Sequence, residues 1–139
     1  MFAEALVCLA LNIYHEARDQ PFIGQVAVAQ VVMNRVADDR YPDDVCEVVT
    51  QGPTYSWKPD FPVRHRCQFS WYCDGKSDRT PDQTAWEQAL TIAQGVHTGN
   101  LDDFVEGATH YHATYVLPEW AETKTPIVQI GEHVFYRWD

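Results

Sequence analysis

The chain has 139 residues, 45% of them hydrophobic and 22% charged, enough for one domain that buries about two thirds of its unfolded surface. A formal charge of −10 excludes a nucleic-acid binder, because phosphate contacts need clustered Lys and Arg. No apolar run is long enough to span a bilayer, and the start at Met1 has neither a basic leader nor a small-residue cleavage site, which argues against a signal peptide and against stable membrane association.

The run Ala3-Glu4-Ala5-Leu6-Val7-Cys8-Leu9-Ala10-Leu11 is apolar nearly all round and predicts a first helix to about Ala17, buried on most sides. Glu16 closes that helix, flanked by Tyr14 and His15. Desolvation at the edge of an apolar body raises a carboxyl pKa until the group holds a proton near neutrality, as a general acid must. A solvent-facing Glu16 paired with Arg18 is the plainer alternative. Asp19-Gln20-Pro21 reads as a turn, with Asp19 tolerating the left-handed conformation and Pro21 suiting the first turn of a second apolar helix over 22–36.

A short third helix over 43–51 follows Pro42, with acidic residues in its first turn. The Pro and Gly content of 52–79 predicts a long irregular segment, a length that inside a compact domain usually serves function. Thr80 as N-cap and Pro81 as the first helical residue start a fourth helix that runs to His97 and stops at Gly99. The period then changes. Residues 108–113 read as a strand, and Gly131-Glu132 as the turn of a hairpin joining 127–130 to 133–136.

Cys8 lies within the first helix and reads as a small core residue. Cys67 and Cys73 bracket five residues and can pair with each other, or one of them with Cys46; either bridge indicates an oxidising compartment. No Cys-x2-Cys pair suggests zinc. Alternation along His110-Tyr111-His112 places both imidazoles on one strand face and Tyr111 on the other. With His133 they could form a three-His metal site, as in a metal-dependent amidase.

Five segments occur in order: Tyr14-His15-Glu16-Ala17-Arg18, the second apolar helix with its run from Gly24 to Val36, Gln68-Phe69-Ser70-Trp71, Ala108-Thr109-His110-Tyr111-His112-Ala113, and Ile130-Gly131-Glu132-His133-Val134-Phe135-Tyr136-Arg137. Together, over about residues 6–137, they resemble the SleB-like cell wall hydrolases, a family that includes spore-cortex-lytic enzymes and many phage endolysins. The resemblance implies an α+β, lysozyme-like single domain over 1–139, a helical body carrying a small antiparallel sheet, with the acid at a helix end facing the sheet across a cleft. It also implies a peptidoglycan lytic transglycosylase that cleaves the MurNAc-GlcNAc bond with Glu16 as acid and without metal or other cofactor. The motif usually continues Gly-Glu where this chain has Asp19-Gln20, so no family role passes to Gln20.

On that reading Gln68 and Ser70 contact the N-acetyl or C6 hydroxyl groups, Trp71 and Tyr111 stack on sugars, and His110 and His112 line the substrate site. Asp60, Asp74 and Glu106 are possible second carboxylates by position alone. One motif-matched acid favours transglycosylation over a hydrolytic muramidase; a non-catalytic wall-binding module has no need of a desolvated Glu. The partner expected is bacterial peptidoglycan, met by a monomer. A phage endolysin made in the host cytoplasm and released by a holin suits the missing leader, and a fragment of a periplasmic or secreted enzyme suits it equally. The strong negative charge opposes approach to an anionic wall except where salt screens it.

Overall fold

The computed structural model describes residues 2–139, with side chains from Glu4 onward. In chain order the elements are α1 (Phe2–Ala17), α2 (Phe22–Val36), α3 (Val45–Val49), β1 (Thr54–Tyr55), β2 (Lys58–Pro62), α4 (Gln83–His97), β3 (His110–Ala113), β4 (Thr125–Ile130) and β5 (His133–Arg137), with 3₁₀ turns at Ser70–Cys73 and Glu119–Thr123. The helices pack together, and β3-β5-β4 form an antiparallel sheet against them, the α+β arrangement expected.

α2 is apolar all round because it is covered on two sides. Val26, Ala29 and Val32 face α1 and α4, where Leu9, Ile13, Tyr14, Ile92 and Ala93 complete a helical core. Ala27, Val28 and Val31 face the sheet and pack with Val105, Ala108 and Phe135. Each buried Val contributes roughly 1.5–3 kcal/mol, so the sheet is fastened mainly through this helix. α1 packs against α2, α3 and α4: Leu9, Ala10, Asn12, Ile13, Tyr14 and Ala17 are buried, while Val7 faces solvent.

Several expectations shift by a few residues for identifiable reasons. The fourth helix begins at Gln83, because Asp82, not Thr80, is its N-cap and accepts from the Ala85 N–H at 3.1 Å. α3 is held to five residues by its Asp44 cap. Asp19 does not take the left-handed conformation; the turn after α1 closes through the Gln20 N–H donating to the Ala17 carbonyl at 2.9 Å. At the β4–β5 turn Gly131 has φ +58, and a Cβ there would also strike the Gln20 side chain.

Two larger corrections concern the cysteines and the segment 52–79. Cys8 is not a free core thiol: it is bonded to Cys46, stapling α1 to α3, while Cys67 pairs with Cys73, and no described cysteine is free. The segment is not irregular throughout. β1 and β2 form an antiparallel ribbon with Tyr55 opposite Lys58, closed at its base by the Val63 N–H donating to the Pro53 carbonyl at 2.9 Å. Pro59 and Pro62 fit because a two-stranded ribbon has free edges on both sides.

Candidate active site

Glu16 lies in the last turn of α1, where helix packing decides its surroundings. The helix brings Asn12, four residues earlier, onto the same face one turn below. Opposite, α2 pins the approach to β3: Asn34 Nδ2 donates to the Ala108 carbonyl at 2.9 Å and Arg35 Nε to the Thr109 carbonyl at 2.7 Å. Two residues on, Tyr111 therefore points back at the helix end, and its hydroxyl donates to Glu16 Oε1 at 2.5 Å.

The electrostatics of this pair follow from burial. Desolvation raises the Glu16 carboxyl above its ordinary range, opposed by the Tyr111 hydrogen bond and by the charge of Arg35. Arg35 is itself buried, its guanidinium lying over the rings of Tyr41 at 5.0 Å and Phe69 at 5.1 Å. Burial pushes the Tyr111 phenol well up, so it stays a donor. The result is a carboxyl that favours the protonated form yet has a hydrogen-bond donor and a distant cation ready for the ionised form.

In front of Glu16 opens a cleft of about 270 Å³. Its walls are His15 to Gln20 on one side, with Ala113, Tyr115 and the hairpin residues Glu132 and His133 on the other. Gln20 joins the two walls: its Oε1 accepts from the Glu132 backbone N–H at 2.8 Å. His15 stacks on Trp71 with centroids 4.7 Å apart, and its ring Nε2 lies 3.1 Å from the Asp78 carbonyl. His133 meets Tyr111 edge-on at 5.1 Å, and burial lowers its pKa so that it stays neutral.

Of the residues expected around substrate, the structure brings Tyr111 to Glu16 as a hydrogen-bond partner and not as an open stacking face. Trp71 is also no open platform: only 8% exposed, it donates its indole N–H to Asn12 Oδ1 at 2.9 Å and supports His15 from behind. Gln68 and Ser70 are exposed outside the residues that line the cleft.

His110 and His112 do share a face, but it is the one turned away from Glu16. Both rings lie against Trp120, at 5.1 and 5.7 Å, and His112 Nε2 is 2.8 Å from the Tyr136 hydroxyl. Burial, with Arg35, Lys124 and Arg40 nearby, holds the His110 pKa down to about 4. Register places His133 opposite Ala113, on the Tyr111 face, so the three imidazoles do not converge. Among the described residues no group of three or more His, Cys, Asp or Glu is arranged to hold a metal ion.

Asp60, Asp74 and Glu106 do not line the cleft; the other acids that do are Asp19 and Glu132. Sequence reasoning passed over Asn12 and Arg35 as site residues and considered His133 only as a metal ligand. The signal for the first two was present, since an amide and a guanidinium inside strongly apolar helices must find buried partners.

A family model described as Cell Wall Hydrolase matches residues 19–136. The chain belongs to the cell wall hydrolase family. The match begins three residues after Glu16, but relatives extend it. The spore cortex-lytic enzyme of Halalkalibacterium halodurans is 32% identical over 128 residues, 91% of this chain and 33% of that protein. The enzyme of the same name from Bacillus subtilis is 28% identical over 127 residues, 91% of this chain and 35% of that protein. This cell wall hydrolase chain thus spans about a third of the length of those relatives. Its fold matches the catalytic domain of the germination-specific lytic transglycosylase SleB from Bacillus anthracis with a TM-score of 0.68 at 28% identity, covering 96% of this chain and 93% of that one. The SleB catalytic domain of Bacillus cereus matches with a TM-score of 0.66 at 28% identity, covering 97% and 91%.

Proposed function

We propose that this domain is a peptidoglycan lytic transglycosylase in which Glu16 is the single acid and base. The observation that carries the reading is the Glu16 carboxyl, desolvated at a helix end, bonded to Tyr111 and open to a cleft. Protonated Glu16 delivers its proton to the oxygen linking MurNAc C1 to GlcNAc as that bond breaks. Positive charge builds at C1 while the new carboxylate is held by the Tyr111 hydroxyl and by the field of Arg35. The carboxylate then takes the proton of the muramyl C6 hydroxyl, whose oxygen bonds to C1. A 1,6-anhydro ring results, the proton returns to Glu16, and no water is consumed.

The expected digest of purified sacculi contains anhydro-muramic ends, one water lighter than hydrolytic ends by mass spectrometry. Label from ¹⁸O-water on the muramic reducing end would instead identify a muramidase. That second reading is favoured by one observation only: Asp19 and Glu132 share the cleft with Glu16 and could activate water.

The two disulfides support action outside a reducing cytoplasm, whether by holin-type release of a phage endolysin or as part of a periplasmic or secreted enzyme. A monomer suffices, since the proposed chemistry is carried by one chain. No helix among the described residues is long and apolar enough to cross a membrane.

A further inference from the structure

The β1–β2 ribbon is unlike the rest of the surface. Every residue from Pro53 to Phe61 is exposed, so neither face of the ribbon packs on the body. Such a ribbon is marginal by itself, and its exposed side chains are large: Trp57 is 75% exposed, Phe61 51% and Tyr55 36%. Tyr55 and Trp57 lie with centroids 5.3 Å apart, and the Lys58 ammonium sits 3.9 Å from the Phe61 ring centroid. These aromatics contribute nothing to a core, although the cost of exposing them is real.

Charge is segregated in the same place. Residues 53–79 hold five of the ten Lys and Arg against three of the twenty Asp and Glu, which makes the segment net +2 and the remainder net −12. Elsewhere the cations are largely committed: Arg35 is buried, Arg40 pairs with Asp38 and Arg137 with Asp139. In the segment Lys58, Arg64, Arg66, Lys76 and Arg79 form no ion pair with a described residue. The segment also runs to the cleft, where the Asp78 carbonyl meets His15.

We infer that this aromatic and cationic arm is a second binding surface for the peptidoglycan strand, seating sugar rings on Tyr55, Trp57 and Phe61 and stem-peptide carboxylates on the surrounding cations. The inference rests on the substrate proposed above. Pyranose rings present apolar C–H faces that stack on aromatic side chains, and carboxylates complement Arg and Lys. The remainder of the chain repels an anionic wall, but that field is screened beyond about 10 Å at 0.1 M salt. Contact is therefore decided locally, and the segment 53–79 has the favourable sign. The arm is continuous in the chain with Asp78, whose carbonyl meets His15 at the cleft wall.

The test separates holding from cutting. In a Glu16→Gln background, co-sedimentation with purified sacculi is compared for the parent chain, Trp57→Ala with Phe61→Ala, and Lys58→Glu with Arg66→Glu. In the wild-type background, turnover of short soluble muropeptide oligomers is measured with the same substitutions. Retention on sacculi at least tenfold weaker for both variants, with soluble turnover within twofold and unchanged melting temperature, supports the arm. The charge variant should also lose most of the salt dependence of binding. Undiminished retention overturns the inference. So does a parallel fall in soluble turnover, which makes the ribbon part of the cleft, or a defect that vanishes once accessory anionic polymers are stripped from the sacculi. Since retention is read without cleavage, failure of the transglycosylase reading leaves a different record.

Discussion

Replacing Tyr111 by Phe tests the electrostatic account of the site most directly, because it removes one oxygen and leaves the ring. The hydroxyl donates to Glu16 Oε1 at 2.5 Å behind the carboxyl, and Tyr111 is not among the residues that line the cleft. Its bond strengthens as Glu16 gives up the proton, so it acts on the transition state more than on substrate binding. A hydrogen bond to a charged group contributes about 1.5–3 kcal/mol, which at about 1.36 kcal/mol per decade corresponds to a fall in kcat of roughly 10- to 150-fold. KM should stay within about threefold on the same argument.

The pH profile carries the sign. The hydrogen bond lowers the Glu16 pKa against the larger effect of burial, so its loss raises that pKa further. Activity that needs protonated Glu16 falls as pH rises through the pKa, and the alkaline limb of Tyr111→Phe should therefore lie at higher pH than in the parent. Rates of muropeptide release measured from pH 4 to 9 provide both quantities. A kcat within twofold of the parent, with an unmoved alkaline limb, would refute the assignment of Tyr111 to this role.

Glu16→Gln should abolish cleavage while increasing stability on the alkaline side. Because burial raises the folded-state pKa of Glu16, the stabilising effect of its protonated form is fully present below the unfolded pKa and is lost as pH rises through the folded one. Melting temperatures of variant and parent should hence converge near pH 4 and diverge at pH 8 with the variant higher; equal curves at both would contradict a desolvated carboxyl. Thiol titration of the denatured, unreduced chain should find no reactive cysteine, since all four are paired. In the chain-entropy view Cys8–Cys46, with a separation of 38 residues, contributes about 4 kcal/mol and Cys67–Cys73, with a separation of 6, about 2. Cys46→Ala should thus lower the melting temperature more than Cys73→Ala, and the reverse order would argue against that staple.

What could be read from the sequence was whatever periodicity controls. The first two helices and the β4–β5 hairpin repeat their apolar pattern long enough to be placed nearly to the residue, and Glu16 drew notice because its helix is apolar. Alternation likewise put His110 and His112 on one face. It could not tell which face would be covered, because Trp120 arrives from a 3₁₀ turn with no period. Cys8 occupied a position that a core residue or a half-cystine suits equally, and only the approach of α3 distinguishes them. The ribbon was hidden by its own exposure: with both faces in solvent, nothing imposes an apolar–polar alternation on 53–62.

The staple from Cys8 to Cys46 and the clip from Cys67 to Cys73 divide the chain mechanically. The first fastens the helix that carries Glu16 to α3 before the arm begins, and the second closes a short loop within the arm. Between them, from Pro53 to Phe61, lies a stretch whose side chains owe the core very little. Such a stretch behaves as an interchangeable cassette: its length and chemistry can drift, or be exchanged by grafting, while the helix that carries Glu16 stays in place. On the proposed function, adaptation of this scaffold to a new wall is therefore open to evolution and engineering at the ribbon, with no change to Glu16 or Tyr111.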